Sequence, residues 1–353
     1  MSTIVGRHSR YDVDDTPFAH GGRAALYRVA CGRLALKLFK DPLPIADDRR
    51  IERLVAEGRE QFVRSRHVMG SAPGAAINWP VDVVAGSEGL AGVVLPLVPS
   101  EFMRVGGSLR TMEFLILRRG EPPRAHQRVA VLIRVAETLA WLADRKLVHG
   151  DVSPRNLVWA AGAVPKVILL DVDGVHDATT PSTDSVVTPG WGDPRVLDRM
   201  TTAHDLYSDW YALALFMYRG LFVTPGMLRK SATGWPTPTL PDGFSPRLTS
   251  LLHRSLDHPL EQSSRAHPRE WVTALVAEFF PGQPNHAALH ALDDLARGRA
   301  ARDVGAQWQP NQPIGPRGVH HSPPTHVGPT STAATSPPPP RRPFHRRLLF
   351  RTT

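Results

Sequence analysis

The chain has 353 residues, 42% of them hydrophobic, enough for a large folded domain with an added segment. Its single cysteine, Cys31, excludes an intramolecular disulfide framework, and no apolar run at the N-terminus resembles a signal peptide, so a soluble cytoplasmic protein is expected. The net charge of +9 is uneven: residues 293–353 hold nine arginines, no lysine and three aspartates, which leaves only +3 on the rest and no polycationic face for nucleic acid.

Residues 1–14 are expected to be an N-terminal extension. Residues 24–39, AALYRVACGRLALKLF, alternate as two strands joined at Cys31-Gly32-Arg33. Ala46 to Val63 is helical in composition, with Ile51, Leu54, Val55 and Phe62 on one face. Trp79 to Val84 and Leu90 to Val98 predict a second hairpin. His126 to Asp144 places Val129, Leu132, Ile133, Ala136, Leu139 and Leu142 at helical spacing. A polar motif, HGDVSPRNLVW (149–159), comes next, then a hairpin ending in VILLDVDGV. Asp205 to Phe280 is helix-prone with loops. Within it, the apolar run Trp210 to Val223 is too short to span a bilayer and is interrupted by Arg219. A short helix, Asn285 to Arg302, closes the folded part. From residue 304 the chain is rich in Pro, Ser, Thr and Gly and predicts a disordered basic tail. Its PPPPRRP is a candidate ligand for a partner that reads PxxP segments, although a solvated tail is the plainer reading. A strand-rich half thus precedes a helical half, and the expected class is α+β.

Four features in order carry chemistry. Gly21-Gly22 would let backbone N–H groups approach phosphate oxygens, although taken alone a Gly-Gly hairpin turn is the commoner explanation. Lys37 sits among alternating apolar residues on a strand, where its ammonium needs a partner or reaches an edge. It can hold phosphates while pairing with Glu52 or Glu57 on the following helix, and spacing does not separate the two. Asp151 can orient or deprotonate a hydroxyl, and Asn156 can ligate a hard divalent cation through its carbonyl oxygen. Asp171 ends the apolar run Val167-Ile168-Leu169-Leu170, at the place where a carboxylate meets metal in a cleft.

HGDVSPRN resembles the catalytic loop HRDxxxxN of the protein-kinase superfamily, and LALK resembles its VAIK strand. LLDVDG is similar to the DFG region. TPGWGDPR (188–195) resembles TPxxxAPE. SDWYALAL puts Asp209 at the aspartate of the helix that anchors the catalytic loop, and RAHPREWVTAL puts Arg265 at the late arginine. The likeness runs in order over about residues 15–280. It implies a bilobal fold, with a small lobe of antiparallel sheet plus one helix (about 15–98) and a larger helical lobe (about 99–280). It also implies ATP and Mg²⁺ or Mn²⁺ as cofactors and a protein substrate phosphorylated on Ser or Thr. INWPVDVV and GVVLPLV resemble a bacterial subgroup, which would make Leu95 the gatekeeper and Pro96 to Val98 the hinge that meets adenine. Asp151 would be the base, Lys37 would contact the α/β-phosphates, and Asn156 and Asp171 would hold metal.

The departures carry expectations of their own. Ala24 and Ala25 stand near the third glycine of the loop. Gly150 replaces the arginine of HRD, so activity should not depend on a phosphorylated activation segment. Ser153 replaces a lysine that would neutralise the transferring phosphoryl group, and Arg155 is the candidate substitute. Asp173 replaces the glycine of DFG and would either join the metal or stiffen the turn. Arg195 replaces the glutamate of APE, so Asp193 is expected to pair with Arg265, and exchanging the charges at 193 and 265 should preserve folding. DATTPSTDSVVTP offers sites for autophosphorylation. Two alternatives stay open: a pseudokinase scaffold, and a small-molecule kinase of the aminoglycoside or choline kinase type. The latter also carry HGD followed by Pro and Asn but lack the TPGWGDP and SDWYALAL pair.

Overall fold

The structure, a computed structural model, describes residues 1–43, 48–64, 72–87, 89–116, 122–180, 187–223 and 244–302, with Gly70, Trp235, Leu240 and Pro241. The fold is α+β. Its main sheet has five antiparallel strands, β3 (Ala19–His20), β4 (Ala24–Arg28), β5 (Leu34–Leu43), β6 (Asp82–Ala85) and β7 (Leu90–Pro96), in the order β3-β4-β5-β7-β6. Both hairpins expected between residues 24 and 98 are present, but Trp79-Pro80-Val81 precedes the strand because Pro80 has no N–H for a ladder.

Period-two alternation gives this sheet two apolar faces. Val83, Val93 and Leu95 pack with Ile51, Leu54 and Val55 of helix α1 (Asp48–Arg64). Leu36, Val84 and Val94 face the other way and pack with Tyr11 and Val13. Those two residues belong to a hairpin, β1 (Ser2–Val5) and β2 (Arg10–Val13), so residues 1–14 cover a face of the sheet instead of extending from it. Fully buried Asp82 locks the hairpin: it accepts the Tyr11 hydroxyl at 2.8 Å and the backbone N–H groups of His8 and Ser9. No apolar periodicity marks β1, which is why the sequence left it out.

The helical region is built on α3 (Ala125–Asp144) and α5 (Leu206–Phe222), with α6 (Pro246–Leu256) and α7 (Pro268–Phe279) packed around them. Helix α5 is apolar nearly all round, and that composition makes it the buried centre of the helical region. Helix α8 (His286–Arg302) buries Leu289 and Leu292 in the same core, and Asp293 pairs with the buried Arg128 of α3 at 3.0 Å. The expected C-terminal extension is therefore part of the core. No helix among the described residues is long and apolar enough to cross a membrane. The tail from residue 304, with PPPPRRP, and residues 181–186 of the phosphorylatable stretch lie outside the described residues.

Candidate functional site

Cross-strand neighbours share a face, so the pairing of Lys37 with Val93 turns Lys37 toward the α1 side of the sheet. From there its Nζ donates to Asp171 and, at 2.6 Å, to Asp173. Both carboxylates follow the hairpin β9 (Leu157–Ala160) and β10 (Lys166–Leu169). The register Leu157↔Leu169 puts Asn156 and Asp171 at the same end of that hairpin, and Leu170 N–H donates to the Asn156 carbonyl at 2.7 Å. Burial opposes the charge on Lys37, but the two carboxylates outweigh it and raise its pKa. Burial likewise opposes ionisation of Asp171, yet the adjacent ammonium holds its carboxyl below the ordinary value, whereas burial wins at Asp173 and pushes it up.

Asp151 sits in a loop pinned from beneath. Asp209 of α5, buried, accepts the backbone N–H of His149 at 2.7 Å and of Gly150 at 2.9 Å. The His149 Nδ1 accepts Asp151 N–H, while its Nε2 lies 2.9 Å from the Leu170 carbonyl and donates to it. Gly150 has φ +80, the left-handed region that favours glycine, which accounts for Gly150 at the expected arginine position. Of the Asp151 oxygens, Oδ1 accepts the Thr188 hydroxyl at 2.6 Å and Oδ2 accepts the Asn156 amide N–H at 2.9 Å. The Asn156 nitrogen is thereby committed to Asp151, and its Oδ1 remains the acceptor atom of the amide.

Glu52 does not reach Lys37. It is exposed and pairs with Arg7 of the N-terminal hairpin, whose position over the sheet sets which cation the glutamate meets. Glu57 accepts from Gln61 at 3.0 Å. Arg155 is also elsewhere than expected: its side chain is 70% exposed and pairs with Glu113 at 3.3 Å, so it lies at the solvent edge. Ser153 is buried, and its hydroxyl has no partner among the described residues. Leu95 is buried on β7, and Val98 packs with Phe102 and Val158 just beyond, where Leu97 N–H donates to Arg33.

Gly21 and Gly22 lie between β3 and β4, and neither adopts the left-handed region. A Cβ on Gly22 would meet nothing within 4 Å, so the fold itself has no need of glycine there. Gly22→Ala is expected to leave stability unchanged or to raise it by about 0.4–1 kcal/mol through unfolded-state entropy, read as a small rise in thermal midpoint. If the glycine pair approaches phosphate as the sequence suggests, the same change should weaken ATP binding several-fold in calorimetry, and unchanged affinity would mean that the pair is only a turn.

Asp193, the N-cap of α4 (Pro194–Leu197), is fully buried between Arg265, at 2.8 and 2.9 Å, and Arg195, at 2.6 Å. The expected Asp193–Arg265 pair is present, with Arg195 as a third member that also reaches Asp205 at 2.7 Å. This cluster and Trp191, with the Arg219 guanidinium 4.2 Å from its ring, carry the Thr188 segment up to Asp151. Sequence reasoning missed Arg50, which donates to the carbonyls of Asp173 and Val175. The signal was available: Arg49-Arg50 opens a helix, where cations oppose the macrodipole.

The donor set at the hairpin end is two carboxylates and an amide oxygen, hard ligands of the kind Mg²⁺ and Mn²⁺ take. Lys37 now neutralises both carboxylates, so cation and ammonium would share them. Among the described residues no group of three or more His, Cys, Asp or Glu forms a metal site. Neither the protein-family models nor the curated proteins contain a match to this chain.

Proposed function

We propose that this chain is a bilobal, protein-kinase-like enzyme that transfers phosphoryl groups from ATP to Ser or Thr hydroxyls of a protein. One observation carries the reading: Lys37 from the sheet meets Asp171 and Asp173 at the end of the hairpin whose other strand, β9, directly follows Asn156, which in turn holds Asp151. Lys37 would draw the α/β-phosphates, and the Gly21-Gly22 turn would cover them with backbone N–H groups. Leu95 and the backbone at Leu97-Val98 would flank adenine. A bound Mg²⁺, held by Asp171, Asp173 and the Asn156 amide oxygen, would neutralise charge on the phosphate oxygens. The acceptor hydroxyl takes the position at Asp151 Oδ1 where the Thr188 hydroxyl now donates. Its oxygen bonds to the γ-phosphorus, the β–γ bridging P–O bond breaks, ADP leaves and the proton passes to Asp151.

The buried Ser153 and the double occupancy of Lys37 favour a second reading, a binding module that keeps the fold without transfer. Labelled ATP with Mg²⁺ and a generic protein acceptor separates the two. Wild type should place label on Ser or Thr, and Asp171→Ala should reduce transfer by two orders of magnitude or more, as loss of an electrostatic group at the transferring charge does. Nucleotide binding without transfer would overturn the protein-kinase reading, and no nucleotide binding would favour the binding module.

A further inference from the structure

We infer that Arg50 of helix α1 is a positioning residue for the Asp171–Asp173 carboxylate pair, an inference that rests on the metal–phosphate reading above. The turn that carries the pair does not hold its shape by local preference alone. Asp171 adopts φ +58, and a left-handed residue other than glycine costs about 1–2 kcal/mol. One Arg50 nitrogen, Nη1, holds the end of that turn: it donates to the Asp173 carbonyl and, at 3.1 Å, to the Val175 carbonyl. The two bonds tie down the second half of the 3-10 turn Val172–Gly174 and the residue after it, and from that turn the Asp173 side chain reaches Lys37.

The helix is held so that this clamp has something to push against. Residues two apart on a helix lie roughly 200° around it, so Arg50 and Glu52 emerge on opposite flanks of α1. The buried stripe of Ile51, Leu54 and Val55 runs between them against the sheet. On the far flank Glu52 takes Arg7 of the N-terminal hairpin. Arg50 also stands in the first turn of α1, where a cation works against the helix dipole. Its bonds to the two carbonyls join that helix to the turn that carries the carboxylate pair.

The experiment uses the full chain with Mn²⁺ and ADP as probe, free Mn²⁺ being read by electron paramagnetic resonance. Arg50→Met should weaken Mn²⁺ binding about ten-fold or more, the usual loss when a group that orients metal ligands is removed. Metal-free ADP affinity and the urea midpoint should stay close to wild type, and Arg50→Lys should recover part of the Mn²⁺ affinity. Unchanged Mn²⁺ affinity in Arg50→Met, or a loss that tracks the urea midpoint and is not recovered by lysine, overturns the role of Arg50 alone. Wild type that binds no Mn²⁺ with ADP overturns the metal–phosphate reading and this inference with it.

Discussion

Asp193→Asn will destabilise the protein by about 3–5 kcal/mol at pH 7, the cost of breaking a buried ion pair from one side. The carboxylate is fully buried and accepts from two guanidinium groups, from the Ser208 hydroxyl at 2.8 Å and from Arg195 N–H at 2.9 Å. Arg195 would keep Asp205. Arg265, buried, would keep the carbonyls of Tyr207 and Pro259 and the face of the Tyr211 ring, but its charge would lose its carboxylate. The pH dependence has a definite sign. Burial opposes the Asp193 charge, but both arginines outweigh it and hold the carboxyl below the ordinary carboxylate range. A lowered folded pKa means that the stabilisation is complete above the unfolded value of about 4 and fades as pH falls toward the folded one. Urea denaturation should therefore give a constant gap between wild type and Asp193→Asn from pH 5 to 8, narrowing below pH 4. A gap under 1 kcal/mol at pH 7 would show that the cluster is not structural.

The third member changes what a charge exchange can do. A lone Asp193–Arg265 pair would tolerate reversal. With Arg195 on the same carboxylate at 2.6 Å, an arginine at 193 faces Arg195, and the exchange leaves two cations together. Sequence separation hid this, because Arg195 is two residues from Asp193 and its side chain folds back over its own N-cap.

The same contrast runs through the molecule. Lys37, Asp151, Asn156 and Asp171 were legible because each is a polar residue inside an apolar run, and such a residue is stable only where something uses it. The strands around Lys37 were legible because a sheet covered on both faces reads as short, near-continuous apolar runs between turn residues, and Lys37 interrupts one of them. What stayed hidden depends on how elements sit against one another. The partner of Lys37 follows from the placement of α1, and α1 is held by Arg7 from a hairpin with little apolar signal. Ser153 stands where the resemblance has a lysine, and its burial was not legible: the buried neighbours Val152 and Pro154 hold that part of the loop inward. Arg155 was read as its substitute, but an arginine with Glu113 at hand at the solvent edge has a nearer partner than a cleft.

If the chain transfers phosphoryl groups as proposed, Asp151→Asn should lower that rate by a factor of about 10²–10⁴, the range for removing a general base, with nucleotide affinity unchanged. Stability should move by less than about 1 kcal/mol, because the amide fits the site the carboxylate leaves. The Asp151 partners are the Asn156 amide N–H at 2.9 Å and the Thr188 hydroxyl at 2.6 Å. An asparagine oxygen still accepts from Asn156, and its NH₂ can donate to the Thr188 oxygen, which has lone pairs to receive it. No ion pair of Asp151 is broken, since none is formed among the described residues. The amide keeps the shape and the hydrogen bonds but cannot take the proton of an incoming hydroxyl. A single-turnover measurement at saturating ATP therefore isolates the proton-accepting role from folding and from binding. A rate within threefold of wild type would place proton acceptance on another group. The Thr188 hydroxyl, already seated at Asp151 Oδ1, makes the comparison sharper. Thr188→Val vacates that oxygen and should preserve far more of the rate than Asp151→Asn, because only the second change removes the group to which the acceptor must give its proton.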